Sequence, residues 1–367
     1  MYPPPPSPGS FPTMDEIHSI TASQHKTVEY LMHVGIIDNH DRVECTCGGT
    51  ISQKGGEYQW RCSKPSCDMG DTVNRVQFSF FKGSFFGGGM HLKCNDILRL
   101  LWMDVAGKRF TDMNNDTTHS SETLTNWRNH IRQLYSLGLA FENPNNDVFE
   151  EIGGLGIQVQ IDESLFMKNR GNVGRILEGQ KWVFAGVEII VLPCGKKILG
   201  KWFAVPVEDR TILTLHALIK KYIKPGSYIV SDGWSSYRSL PQIDSEEVIE
   251  APDGTVLNHP LPPAGKMYTF DWVNHTDNFI DPETGVHTNG VEGLWSSKLK
   301  RRIPAKTRGP MVLGDEIVKW LWIDKHADNL WISLLNLLHN VRYDHDLPMY
   351  HQPLQNPYQQ GHRALHH

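Results

Sequence analysis

The chain has 367 residues, enough for two or three domains with a buried core. No stretch approaches the roughly 20 consecutive apolar residues that a membrane span needs, so we expect no membrane partner. The net charge of −5 counts against a protein that binds nucleic acid over its whole surface. The charge is uneven, because Trp295 to Gly314 holds six basic residues and no acid, which suits local contact with phosphates.

Residues 1–20 begin with a Pro- and Ser-rich run that has neither a basic start nor an apolar stretch. This composition predicts a disordered leader and not a signal peptide. With six cysteines and no export signal, an intracellular, reducing compartment is favoured over a disulfide framework. Cys94 and Cys194 lack cysteine partners in the sequence and are predicted to be buried apolar residues.

Residues 40–90 contain two cysteine pairs, Cys45 with Cys47 and Cys62 with Cys67, separated by 14 residues. Such pairs are typical of one structural Zn²⁺ in a tetrahedral site. The two glycines that follow Cys47 would relieve crowding beside the metal. The first pair is one residue closer than the usual C-x-x-C and the second is two residues wider, so four free thiols in a small core are the alternative. We predict a zinc-ribbon-like module.

Residues 91–140 are predicted to be helical. Apolar residues recur from Asn95 to Val105, and a second helix is expected to begin near Ser121 and to end before Gly138. The face of the second helix opposite its apolar stripe carries four polar side chains that suit phosphates and base edges: Asn126, Arg128, Asn129 and Arg132. This pattern predicts a helix-turn-helix-like segment that binds DNA, and a solvated face on a structural helix explains the same residues equally well.

A mixed α/β region is predicted over residues 150–340, after a turn-rich linker at 142–147 and before a flexible tail at 341–367. Its expected elements are strands at Gly156–Ser164, Lys181–Leu192 and Ile198–Val207, a helix at Asp209–Ile223 and a strand at Ser227–Ser231. An acid stands at the end of the first and of the fourth strand. This order predicts a ribonuclease-H-like, integrase-type catalytic domain.

Three acids are the candidate catalytic residues of this region: Asp162, Asp232 and Glu292. Each alone has an ordinary explanation, as a turn residue or as an acid near a helix start. Together, two strand-borne aspartates and one helix-borne glutamate supply the oxygen ligands that two Mg²⁺ or Mn²⁺ ions need for phosphoryl transfer.

The motifs around these acids are Ile-Asp162-Glu-Ser, Ser-Asp232-Gly-Trp-Ser-Ser-Tyr237, Val-Asn-His275 and Val-His287-Thr-Asn289-Gly-Val-Glu292-Gly-Leu-Trp295. Together they resemble those of the DDE transposases of the Merlin superfamily and of their bacterial insertion-sequence relatives of the ISXO type. The resemblance runs from about Val43 to Asn340 and includes a Gly83-Ser-Phe-Phe86 segment after the cysteine module. It implies that Asp162, Asp232 and Glu292 form the metal-binding catalytic triad.

Neighbouring residues gain auxiliary roles from the same resemblance. Glu163 adjoins Asp162 and should point to the opposite face of an extended strand, so it is the less favoured ligand. The auxiliary residues implied by the resemblance are Asn289, His287, His275, Lys298 and Lys300. Either lysine suits the scissile phosphate, because the spacing after Trp295 is one residue longer than the family's. The DNA contacts expected beside them are Arg301 and Arg302, together with Arg128, Asn129 and Arg132.

The implied reaction is cleavage of one strand by water followed by attack of the freed 3′-hydroxyl on target DNA, without a covalent intermediate. The expected partner is double-stranded DNA, both transposon terminal repeats and target, bound by a homo-oligomer. The expected location is the nucleus in a eukaryote, or the cytoplasm and nucleoid in a bacterium. A host-retained, inactive DNA-binding protein and a same-fold nuclease without strand joining are the alternatives.

Overall fold

The computed structural model describes residues 11–37, 45, 47–53, 58–64, 77–81, 83–87, 92–143, 145, 147–167, 181–273, 287–304 and 312–341. The chain separates into two compact units, one of residues up to Phe141 together with those from Trp322, and one of Glu142–Leu321. The predicted catalytic region, 150–340, therefore ends with residues that belong to the first unit. Among the described residues, no helix is long and apolar enough to cross a membrane.

The first unit contains helices and a small antiparallel sheet. Its elements up to residue 142 are α1 (Met14–Ile20), α2 (Gln24–His33), β1 (Ile51–Gln53), β2 (Gln59–Cys62), β3 (Gln77–Ser79), α3 (Cys94–Val105), α4 (Phe110–Asp116) and α5 (Ser121–Glu142). β2 is the central strand of the sheet. Helix α1 begins inside the segment that we predicted to be a disordered leader, because Thr13 and Glu16 form a capping box and Ile17 and Ile20 are buried.

Helix α5 is longer than predicted, since it continues through Gly138 to Glu142. Gly138 is buried, and a Cβ at this position would lie 3.0 Å from side-chain atoms of Leu337 and Trp322. The glycine therefore allows close packing of the helix against these residues and does not end it.

The polar face of α5 is less exposed than we expected. Arg132 is only 4% exposed, and its guanidinium donates a 2.7 Å hydrogen bond to Asn129 Oδ1. Arg128 lies 3.6 Å from the carboxylate of Asp104, a buried residue of α3. Packing of α5 on α3 thus directs both arginines into the unit, and Asn129 is the predicted DNA contact of this helix that remains exposed.

The second unit is built on a larger sheet. Its elements are β4 (Ile152–Gly153), β5 (Gln158–Met167), β6 (Lys181–Val191), β7 (Lys197–Val207), α6 (Ile212–Tyr222), β8 (Ile223–Lys224), β9 (Tyr228–Asp232), β10 (Thr269–Val273), α7 (Asn289–Gly293), a π-helix (Leu294–Leu299), α8 (Lys300–Arg302) and α9 (Leu313–Lys325). Helix α9 continues past Leu321 into the first unit, which also contains α10 (Leu330–Asn340).

The five-stranded sheet has the order β10-β9-β5-β6-β7. β5, β6 and β7 pair in antiparallel fashion, whereas β9 runs parallel to β5 and β10 runs parallel to β9. The predicted mixed α/β class is therefore confirmed, and β10 is a strand that the sequence analysis missed. The short strands β4 and β8 form a separate parallel pair.

Apolar cores cover both faces of this sheet. The core that we call the α6 core includes Leu215 and Ile219 of α6 with Val159 and Ile161 of β5. The α7 core, on the other face, joins residues of α7, the π-helix and α9 to alternate residues of β6: Val291, Leu294, Leu299, Ile317, Val183, Ala185 and Val187. Because both faces are covered, even polar residues of β5 are withdrawn from water.

Candidate active site

The two predicted catalytic aspartates lie on neighbouring parallel strands: Asp232 is the last residue of β9, whereas Asp162, predicted near the end of its strand, lies in the middle of β5, which continues to Met167. The last paired residues of β5 and β9 are Gln160 and Val230, and Asp162 and Asp232 each lie two residues further along. Side chains two residues apart on a strand share a face, so both carboxyl groups lie on the same face of the sheet and at the same level along the two strands. The negative charge of Asp232 acts on Asp162 and raises its pKa, as expected for neighbouring carboxylates.

Asp162 and the adjacent Glu163 point to opposite faces of the sheet. The Trp295 indole N–H donates a 2.9 Å hydrogen bond to Asp162 Oδ2, and Trp295 belongs to the α7 core. Glu163 faces Tyr237, a fully buried residue of the α6 core. Asp162 is therefore the acid of this pair that shares a face with the helix carrying Glu292.

Burial and like charge disturb the ionisation of these acids. The pKa of Asp162 is raised to about 7, first by burial and then by the charges of Asp232 and Glu163, although the Trp295 hydrogen bond lowers it. The pKa of Glu163 is also raised to about 7, again mainly by burial. A crowded, partly dehydrated group of carboxylates is stabilised by taking up either protons or cations. Its oxygen donors suit Mg²⁺ or Mn²⁺.

Gln160 connects the strand of Asp162 to the start of α7, and the sequence analysis missed this role. Its side chain is fully buried. Its Oε1 accepts hydrogen bonds from the backbone N–H groups of Gly290 and Val291 at 2.8 and 3.2 Å, and its Nε2 donates to the His287 carbonyl at 2.7 Å. N–H groups in the first turn of a helix have no partner within the helix, so this glutamine satisfies them. The signal for this role in the sequence was a glutamine with apolar neighbours inside a predicted strand.

Glu292 lies on α7 three residues before Trp295, and its side chain is exposed. Residues three apart share a helix face, so the Trp295–Asp162 hydrogen bond turns the face of Glu292 toward the aspartates. Glu292 Oε1 accepts a 3.2 Å hydrogen bond from Thr288. In the described part of the chain, one group of three or more acids, histidines or cysteines has all its ligand atoms within 4.8 Å of one another. All members of this group are cysteines. The three carboxylates are thus more widely spaced than that.

The helix after Glu292 contains a π-helical segment, Leu294–Leu299. A π-helical turn accommodates one additional residue without ending the helix, and such turns are frequent at functional sites. The segment keeps Trp295 and Leu299 buried in the α7 core.

The basic residues that follow differ in their surroundings. The Lys300 ammonium lies 5.8 Å from the ring centre of Phe166, a residue of β5 that also contacts Trp295. The Arg302 guanidinium lies 4.9 Å from the Trp320 ring, and Arg301 is exposed. Lys298 is half-buried. Lys300 therefore contacts the strand of Asp162.

The remaining auxiliary residues are only partly described. Asn289 is the first residue of α7 and is exposed. Among the described residues, none forms a hydrogen bond with the buried Nδ1 of His287. Burial and the charge of Lys197 lower the pKa of this histidine, while Glu292 raises it. His275 lies outside the described residues.

Three cysteines of the first unit form the metal-ligand cluster. The Sγ atoms of Cys45, Cys47 and Cys62 all lie within 4.8 Å of one another, with Cys45 and Cys47 at 3.2 Å and Cys47 and Cys62 at 3.5 Å. Tetrahedral zinc with Zn–S bonds of about 2.3 Å places sulfurs about 3.8 Å apart, so this cluster is compatible with structural zinc. A Cβ at Gly49 would lie 2.5 Å from Cys62 Sγ, which explains the glycine. Cys67 lies outside the described residues.

The two other described cysteines differ. Cys94 is buried as predicted, and burial raises its pKa to about 12. Cys194 was predicted to be buried, but it is exposed because it lies in the turn between β6 and β7.

No protein-family model matches the chain, and no curated protein matches it in sequence. The residues and distances described above are therefore what a function has to explain.

Proposed function

We propose that this protein is a DDE-type DNA transposase that cleaves and joins DNA strands at transposon ends. The observation that carries the proposal is the placement of Asp162 and Asp232 on the paired parallel strands β5 and β9, linked through Trp295 to the helix of Glu292. Three antiparallel strands, a helix and a parallel fourth strand, with one acid inside the first strand and one at the end of the fourth, also match the order expected of a ribonuclease-H-like catalytic domain.

The triad of Asp162, Asp232 and Glu292 would hold two Mg²⁺ or Mn²⁺ ions. When bound, such ions supply positive charge to the attacking and leaving oxygens of an in-line displacement. The protein itself supplies position: Trp295 orients the Asp162 carboxylate, and Gln160 fixes the start of α7. Release of Glu292 Oε1 from Thr288 would free the third carboxylate to turn toward the aspartates.

Double-stranded DNA is the proposed substrate, with positive charge for its backbone contributed by Lys298, Lys300, Arg301 and Arg302. Zinc bound to Cys45, Cys47 and Cys62, with Cys67 as the expected fourth ligand, would hold the small β1–β3 module together. Pairing of two transposon ends calls for a homo-oligomer. The proposed place of action is the host's DNA, in the nucleus of a eukaryote or the nucleoid of a bacterium.

A second candidate is a DNA-binding protein without cleavage activity. The three carboxylates do not all lie within 4.8 Å of one another, and Glu292 accepts a hydrogen bond from Thr288; both observations favour this alternative. The intact set of three acids favours the transposase, because loss of catalysis removes the constraint on metal ligands.

The test combines purified full-length protein, Mn²⁺ and a labelled duplex containing the terminal repeat that flanks the coding sequence. Cleavage at the repeat end with strand joining supports the transposase, binding alone supports the second candidate, and cleavage of arbitrary DNA indicates a nuclease of the same fold. The Asp232→Asn variant is expected to bind the duplex as the wild type does but not to cleave it. Cleavage retained in this variant would reject the site.

A further inference from the structure

An arginine of the second unit contacts two tryptophan rings and lies near Glu163, which points to the face of the sheet opposite Asp162. The Arg210 guanidinium carbon lies 3.7 Å from the ring centre of Trp182 and 4.4 Å from that of Trp234. Both distances are well within the range of cation–π contact. Arg210 immediately precedes the N-cap of α6, where its carbonyl accepts a 3.0 Å hydrogen bond from Ser236. Its backbone and its guanidinium group are therefore both held by contacts.

Among the described residues, none accepts a hydrogen bond from this guanidinium. In the described part of the chain, no carboxylate or carbonyl accepts a hydrogen bond from the Arg210 side chain, and no acid forms an ion pair with it. Stacking on two rings leaves the edge of a guanidinium open, and this edge carries five N–H groups in a fork that matches a phosphate. Half-buried arginines usually pair with an acid or a carbonyl, so an oriented arginine with free donors indicates a ligand.

The second ring of the sandwich is itself exposed. Trp234 follows Asp232 by two residues, and 38% of its surface is accessible although Arg210 covers part of it. Trp272 packs over Gly233, where a Cβ would lie 3.1 Å from the indole, and so supports the backbone between Asp232 and Trp234. Exposed indoles beside a fixed positive charge are the combination by which proteins bind unpaired nucleotides: the base stacks and the phosphate pairs with arginine.

We propose that Arg210 and Trp234 form the subsite for an unpaired DNA nucleotide next to the cleaved phosphodiester, with the phosphate on Arg210 and the base stacked on Trp234. This inference rests on the proposed function, because it assigns the nucleotide to DNA opened at a transposon end. The nearby acids, Asp162, Glu163 and Asp232, repel a phosphate, and Arg210 provides the compensating charge on the side of Glu163. Opening of the duplex end would then be stabilised by stacking in place of base pairing.

The test measures binding of fluorescein-labelled single-stranded DNA, of a blunt duplex of the same sequence and of the matched RNA strand to the full-length protein by anisotropy. Arg210→Ala and Trp234→Ala are each expected to weaken single-strand binding by about tenfold, with a smaller loss on the blunt duplex. Trp234→Phe retains an aromatic ring and should recover most of the affinity. The matched control is Arg238→Ala, which removes an exposed arginine four residues after Trp234. This variant should bind as the wild type does.

The salt dependence of DNA binding distinguishes the phosphate contact of Arg210 from the base stacking of Trp234. Loss of one phosphate contact should reduce the slope of log affinity against log salt concentration by about 0.7 for a single strand, so Arg210→Ala changes the slope while Arg210→Lys and Trp234→Ala retain it. Melting temperatures of all variants check that the fold is intact.

The subsite is rejected if the wild type binds none of the DNA probes, if folded Arg210→Ala and Trp234→Ala bind single strands like the wild type, or if the matched RNA is preferred. Cleavage of the terminal-repeat duplex is scored separately. Normal cleavage with unchanged affinity in both variants would leave the transposase proposal standing and remove the subsite. Loss of single-strand binding in both variants, with a wild type that binds single strands but does not cleave the duplex, would do the reverse.

Discussion

The substitution Asp162→Asn is expected to stabilise the metal-free protein while removing its response to metal. Burial, Asp232 and Glu163 raise the pKa of Asp162 from 3.8 to about 7. Between these two values the folded protein holds a proton that the unfolded chain releases, so stability falls as pH rises through this window. Below the lower value Asp162 is protonated in both the folded and the unfolded protein, so it does not destabilise the fold. Above about pH 7 it is charged in both, and the full cost of burying this charge lowers the stability of the folded protein.

The size of the effect follows from the shift. A rise of about three pKa units at 1.36 kcal/mol per unit corresponds to about 4 kcal/mol at about pH 8. For a unit the size of Glu142–Leu321 this is roughly 8–16 °C in melting temperature, as an upper limit. The asparagine keeps an oxygen that can accept the hydrogen bond of the Trp295 indole, so the substitution removes the charge with little change in packing.

Thermal unfolding of the full-length protein at about pH 8 and about pH 4, with and without Mn²⁺, measures both the change in stability and the response to metal. We expect Asp162→Asn to melt higher than the wild type at the upper pH and equally at the lower, and Mn²⁺ to stabilise the wild type alone. The exposed acid Asp253 provides the matched control Asp253→Asn, for which no change is expected. An unchanged or lower melting temperature of Asp162→Asn at the upper pH would contradict the proposed charge crowding, and Mn²⁺ stabilisation retained in the variant would contradict the metal site.

Three further outcomes are expected. Gly49→Ala places a methyl group against Cys62 Sγ and should abolish bound zinc in elemental analysis, whereas an alanine in place of the exposed Cys194 should leave it unchanged. Gln160→Ala leaves two N–H groups of α7 without an acceptor, so urea unfolding should show a loss of about 2–4 kcal/mol; a loss below about 0.5 kcal/mol would contradict its capping role. With its pKa raised to about 12 by burial, Cys94 should resist a disulfide reagent at about pH 8 under which Cys194 reacts, and equal rates would contradict the buried thiol.

Local sequence patterns predicted many of the strands and helices of the second unit. Alternation and β-rich composition located the first three strands of its large sheet to within a few residues, and the helix predicted at Asp209–Ile223 agrees with α6 to within three residues at each end. The glycines beside Cys47 likewise predicted the crowding that Gly49 relieves at Cys62. These features depend on neighbours in sequence, which is why they could be read from the chain.

Other features depended on contacts between distant segments. Gly138 reads as a helix end, but close packing against Leu337 keeps it inside α5, and the same kind of packing turns Arg132 inward. Gln160 reads as a surface residue of a half-exposed strand, yet cores on both faces of the sheet bury it and leave the first turn of α7 as its partner.

The sequence by itself determined which acids to consider, because their residue types and neighbours are local properties. Only the tertiary structure decided that Asp162 faces Trp295 while Glu163 faces Tyr237, and that Arg210 lies between two indoles. The physical reason is that sheet pairing and helix packing bring together side chains that are tens of residues apart, and their burial then sets how they ionise and what they can bind.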